Sequence, residues 1–147
     1  RYRAWMDDYI RENGVPVKPG LRELLAWLKQ AHILCAVATS TFTNVAIGYL
    51  KNAGVLNCFA AIVGGDQVSR SKPDPEIFQL AMRALGKQTP ETCLVFEDSR
   101  NGLLAGANGG FPVIVVPDLF DPTLELPGLC YAKCARLDEA IDVIQNS

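Results

Sequence analysis

The sequence predicts an α/β fold with a mostly parallel sheet, and two observations carry that expectation. Short apolar, β-favouring runs recur along the chain: ILCAVA at 33–38, AAIVGG at 60–65, CLVF at 93–96 and PVIVV at 112–116. Between them lie stretches with apolar residues at helical spacing, most of them closed by glycine. Strands alternating with helices form βαβ units with parallel strands and right-handed crossovers. In such sheets ligands bind outside the carboxyl ends of the strands. The polar residues just after each run are therefore the ones to inspect.

Residues 1–13 read as the end of a helix that Gly14 stops. VPVKPG follows, a stiff, extended connector and a natural hinge or domain boundary. Leu21, Leu24, Leu25 and Leu28 recur at helical spacing. After the first strand a helix runs from about Phe42 to Ala53, closed by Gly54. After the second, Asp74 can cap a helix and Pro75 fits its first turn; that helix runs to about Leu85 and stops at Gly86. Residues 99–108 form a further helix before Gly109-Gly110. Residues 117–129 are a Pro/Asp-rich loop, and Leu137 to Ile144 is a closing helix with Leu137, Ala140, Ile141 and Ile144 on one face.

The chain has 147 residues, 49% hydrophobic and 20% charged, which suits one globular domain with its own core. A formal charge of -2 and the lack of a basic stripe argue against a nucleic-acid partner. No apolar run approaches the roughly 20 residues of a membrane span, and no signal peptide is visible. The five cysteines are odd in number and form no C-x-x-C pair. Most read as small core hydrophobes in a protein of the reducing cytoplasm. The sequence opens on Arg1 inside an amphipathic-looking stretch, which reads as a fragment, a processed chain or an engineered one.

Thr39-Ser40-Thr41 follows the first strand, Lys72 lies in a proline-stiffened segment after the second, and Glu97-Asp98-Ser99 follows the third. That set suits a phosphate and a hard divalent cation. Thr39 can donate its hydroxyl to a phosphate oxygen with the Ser40 N–H helping, or one of the three hydroxyl residues simply caps the next helix. Lys72 can set a fixed positive charge against a phosphate, or it is a solvated surface lysine. Burying Glu97 beside Asp98 without compensation is expensive, and a bound Mg²⁺ relieves that cost. The plainer reading is a helix N-terminus that favours negative charge. His32, the lone histidine, has a structural or solvent role, and Arg70 beside Lys72 can touch substrate or, on the plainer reading, belongs to the surface. No Gly-rich nucleotide-binding loop occurs.

Taken in order, KPGLRELLAWLK, VATST, GGDQVSRSKPDPEIF and LVFEDSRNGLLAGANGG resemble the haloacid dehalogenase (HAD) superfamily, in its phosphatase and β-phosphoglucomutase-like branch with a helical cap. The resemblance implies a three-layer Rossmann-like core at 19–147 lacking its first strand, with residues 1–18 as the remnant of the cap and its hinge. It implies that Thr39 binds the transferring phosphoryl group, with Ser40 helping, and that Lys72 stabilises its charge. It implies that Asp98 ligates Mg²⁺ and that Glu97 holds a metal-bound water. The family's D-x-D motif, with nucleophile and general acid/base, is absent upstream of Thr39. The strand that carries it would lie between those ending at Thr39 and Asp98, so its loss leaves two half-sheets or forces those strands to pair. The implied activity is hydrolysis of a small phosphorylated metabolite through an aspartyl-phosphate, with this chain alone inactive. A sugar-phosphate mutase is the near alternative, and a non-catalytic binding or scaffold protein the distant one.

Overall fold

The computed structural model describes residues 18–117 and 121–147. The expected helix at 1–13 lies outside the described residues.

Helix α1 (Leu21–Gln30) opens at Gly20, whose φ of 86° is a left-handed conformation. A Cβ there would also overlap Asp138, so only glycine fits. Leu24, Leu25 and Leu28 are buried on the inner face of α1. Strand β1 (Ala36–Ala38) leads to α2 (Thr43–Asn52), β2 (Ala61–Val63), α3 (Glu76–Ala84), β3 (Val95–Glu97), α4 (Arg100–Asn108) and β4 (Val113–Val115). A two-residue strand β5 (Ala132–Lys133) and a short helix α5 (Ala140–Gln145) close the order.

Every described strand pairing is parallel. The strands form two separate sheets, β1–β2 and β3–β4–β5, and β1 and β3 do not pair among the described residues. The helical layers tie the two together. On one face, Ile77, Phe78, Ala81 and Met82 of α3 share a buried cluster with Val63, Val95, Leu103 and Val113. On the other, Leu24 and Leu28 pack with Ile114, Val116, Leu137 and Ala140. The result is the three-layer α/β arrangement that the alternating pattern predicts.

The strands are shorter than the apolar runs that announce them. Ile33 and Leu34 stay exposed because pairing starts only at Ala36↔Ala61. Strand β5 was missed because YAKC has no apolar run; it joins the ladder through β4, where Tyr131 N–H donates to Val113 O at 2.7 Å. Four of the five cysteines belong to the core as expected, Cys134 buried in it and Cys35, Cys93 and Cys130 half-buried against it, while Cys58 is exposed. His32 is exposed, with φ 59°, where the chain turns out of α1. No helix among the described residues is long and apolar enough to cross a membrane.

Candidate active site

A cleft of about 880 Å³ opens between the two half-sheets. The inner strands form part of its walls, through Val37 and Ala38 of β1 and Phe96 and Glu97 of β3. Thr39, Ser40, Lys72, Glu97 and Asp98 all line it. The five residues singled out in the sequence thus face one space, brought there by the carboxyl ends of β1 and β3 and by the loop after β2.

The Thr39–Thr41 turn is built by backbone and side chain together. Thr39 N–H extends the ladder to Val63 O at 3.0 Å, and Thr39 Oγ1 accepts from Thr41 N–H at 3.2 Å. With its oxygen so engaged, the Thr39 hydroxyl keeps its hydrogen for a ligand. None of the three hydroxyls caps α2. That task falls to Asp66, 23 residues away, whose Oδ1 accepts from Thr43 N–H at 2.7 Å and Thr43 Oγ1 at 2.8 Å. The Thr43 hydroxyl, then its N–H, hold the Asp66 carboxyl below its ordinary range. The loops approach so closely that a Cβ on Gly65 would overlap the Ser40 carbonyl.

Lys72 is no surface lysine. Its ammonium meets Glu97 Oε2 at 2.6 Å, with side-chain exposures of 11% and 9%. It also lies 4.9 Å from the centre of the Phe78 ring, a cation–π contact. Its loop is clamped: Glu76 accepts from Ser69 and Arg70 N–H at 3.1 and 2.8 Å, and Asn108 Nδ2 donates to Pro73 O at 3.3 Å. Asp74 accepts from Glu76 N–H at 2.9 Å, as a helix cap should, although α3 begins one residue later than Pro75.

Glu97 is enclosed by its own neighbours. Its Oε1 accepts from Ser99 Oγ at 3.2 Å and Asp98 N–H at 3.3 Å. Ser99 in turn caps α4 by accepting from Gly102 N–H at 3.0 Å. A Cβ at Gly102 would overlap the Glu97 carboxylate, so glycine is required for this approach. Asp98 faces the Lys18 ammonium at 3.3 Å.

These contacts correct one step of the sequence argument. Two adjacent carboxylates need compensation, and here each is met by a lysine, Glu97 by Lys72 and Asp98 by Lys18. Charge compensation alone therefore does not demand a cation. No group of three His, Cys, Asp or Glu side chains converges among the described residues. Mg²⁺ needs less than that, since it uses one or two carboxylates and completes its shell with water and phosphate oxygens. Asp98, a hard-oxygen donor at the cleft, fits such a site; Glu97 is committed to Lys72. Lys18, Asp66 and Glu76 escaped the sequence reading. Only the Pro and Gly that follow Lys18 hinted that it is held in place.

The family of haloacid dehalogenase-like hydrolases matches residues 3–110. The chain belongs to that family. It is 41% identical over 103 residues to a phosphorylated carbohydrates phosphatase of Thermotoga maritima, covering 70% of this chain and 45% of that protein. It is 41% identical over 102 residues to a bifunctional riboflavin kinase/FMN phosphatase of Arabidopsis thaliana, covering 69% of this chain and 27% of that protein. Among solved structures, CbbY of Rhodobacter sphaeroides in complex with xylulose-1,5-bisphosphate superposes with a TM-score of 0.79 at 31% identity, covering 94% of this chain and 63% of that one. The chain thus spans less than half the length of these two curated relatives.

Proposed function

We propose that the chain is part of a Mg²⁺-dependent phosphatase acting on a small phosphorylated metabolite, of the sugar-phosphate class named for its relatives. The observation that carries this reading is the convergence of Thr39, Ser40, Lys72 and Asp98 on the cleft between the half-sheets. The Thr39 hydroxyl and Ser40 N–H bind the phosphoryl oxygens, and Lys72 neutralises charge that grows on them. Glu97, helped by Ser99, holds Lys72 at that position. Asp98 would hold the Mg²⁺, which supplies further charge neutralisation and orients the phosphoryl group.

The nucleophile comes from a D-x-D strand lodged between β1 and β3. Its carboxylate oxygen attacks phosphorus, the alcohol leaves with a proton from the second aspartate, and water then releases phosphate. Residues 19–147 form the core of this enzyme, and residues 1–18 the end of its cap and the hinge. The five free cysteines support a reducing, cytoplasmic setting.

Incubation with p-nitrophenyl phosphate and Mg²⁺ tests the proposal. The 147-residue chain should show no turnover above background. The same chain extended at its N-terminus by a family strand bearing D-x-D should turn over, and Asp98→Asn in that extended protein should lower the rate at least about 100-fold. Robust turnover by the unextended chain would overturn the role given to the added strand. Glucose 1-phosphate converted to glucose 6-phosphate, with no phosphate released, would indicate a mutase instead.

A further inference from the structure

The cleft holds two carboxylates and two ammonium groups, and the two ion pairs differ in kind. Lys72 is locked by Glu97 at 2.6 Å and by the Phe78 ring, with 11% of its side chain exposed. Lys18 meets Asp98 at a longer 3.3 Å and is 28% exposed. We propose that Lys18 is a resident counter-cation of Asp98 which a divalent cation must displace, so that cation binding and release of Lys18 are one exchange. This inference rests on the reading of Asp98 as the cation ligand and adds the group that competes with it.

The backbone beside Lys18 is fixed, so the exchange involves its side chain. Pro19 O accepts from Leu137 N–H at 3.0 Å, and Gly20 is pressed against Asp138 in its left-handed conformation. From that anchor a flexible four-carbon stem reaches Asp98 and can swing away. Lys18 Nζ lies against Oδ2 of Asp98, where a cation sharing that oxygen would be within repulsive range. With side-chain exposures of 28% and 16% the pair is partly buried, looser than Lys72–Glu97 and only partly screened by salt. A divalent cation carries twice the charge and gains several oxygen ligands, so it prevails once its concentration suffices. While the pair is closed, Asp98 is not competent to bind. A pair closed about nine-tenths of the time weakens the apparent affinity about tenfold.

Mn²⁺ titration of the full chain at low ionic strength, read by the electron paramagnetic resonance of the free ion, tests the exchange. Lys18→Met and Lys18→Gln should each bind about tenfold more tightly than the unsubstituted chain. Lys29→Met, the same charge change on an exposed residue outside the cleft, should shift affinity less than about twofold. Asp98→Asn should abolish the site in every background. In the unsubstituted chain, saturating Mn²⁺ should also speed acetylation of Lys18 relative to Lys29. If Asp98-dependent binding is present but both Lys18 variants bind no more tightly than Lys29→Met, the exchange is overturned and the role of Asp98 stands. If no variant shows Asp98-dependent binding, both fall.

Discussion

Strands β1 and β4 come from similar apolar runs, yet they meet different fates. The three residues of β4 are 1%, 0% and 0% exposed, while all three of β1 are only half-buried. Composition does not explain this, since Ala-Val-Ala and Val-Ile-Val are both apolar. Neighbours do. Strand β4 has β3 and β5 on its two edges and helices on both faces. Strand β1 has β2 on one edge and the cleft on the other. The interior of the β3–β4–β5 half is finished, and that of the β1–β2 half is open at the place where ligand chemistry is proposed.

The largest effect should expose this contrast directly. Leu103, fully buried beside β4, should cost about 3 kcal/mol or more when truncated to alanine. Val37, half-buried on the cleft, should cost about 1 kcal/mol in Val37→Ala. Urea denaturation with constant m-values measures both. Equal losses would mean that the cleft side of β1 is as enclosed as the core that Leu103 shares with β4, and the contrast would fail.

A second test addresses what joins the halves across the cleft. Lys72 leaves the β2 side and Glu97 ends β3, so their ion pair rivets the two sheets. Lys72→Met keeps much of the packing on Phe78 but strands the Glu97 carboxylate with 9% exposure. That should cost about 3 kcal/mol. Lys72→Met combined with Glu97→Gln removes both charges and should recover most of the loss, to within about 1 kcal/mol of the parent. Additive losses in the same urea experiment would show that the two groups do not depend on each other, and the rivet would be only proximity.

The sequence made one kind of information legible and hid another. Periodicity and glycine stops located each longer helix to within a residue or two, because amphipathic spacing is local. The first four strands were found but over-extended, because apolar residues such as Ile33 and Leu34 continue beyond the paired segment. Strand β5 depends on β4 for its partners and left no local trace. The cleft residues Thr39, Lys72, Glu97 and Asp98 were legible because each ends or directly follows a strand or, for Lys72, leads into the Pro73 and Pro75 segment. Their supports were not. Asp66 acts on Thr43 from 23 residues away, and Lys18 meets Asp98 from the far end of the chain. Contacts of that separation are set by topology, so the sequence yields the donors of a site before it yields what orients them.

The smallest effect compares two carboxylates that tie down loops, one in each half. Asp66 holds Thr43 in the β1–β2 half. Asp121 takes hydrogen bonds from Lys133 Nζ at 2.8 Å and from the Thr123 hydroxyl at 2.6 Å in the other. The Lys133 ammonium first, and then Thr123, push the Asp121 carboxyl down to about 2. Asp66 is also lowered. A carboxyl that is more acidic in the folded protein leaves the unfolded chain binding more protons, so stability rises with pH across that interval. The contribution of Asp121 is therefore complete above about pH 4 and fades as pH falls toward about 2. Asp121→Asn should lower the urea midpoint slightly at pH 6, and that deficit should close by about pH 2. Asp66→Asn should show the same sign, with its deficit closing below the ordinary carboxylate range. Asp66 differs in one respect, because its loop abuts the cleft where Gly65 meets Ser40. Its loss should therefore also weaken phosphate binding in the strand-extended protein, while loss of Asp121 should leave it unchanged. Equal effects of the two on phosphate binding would mean that the loops of both halves shape the site alike.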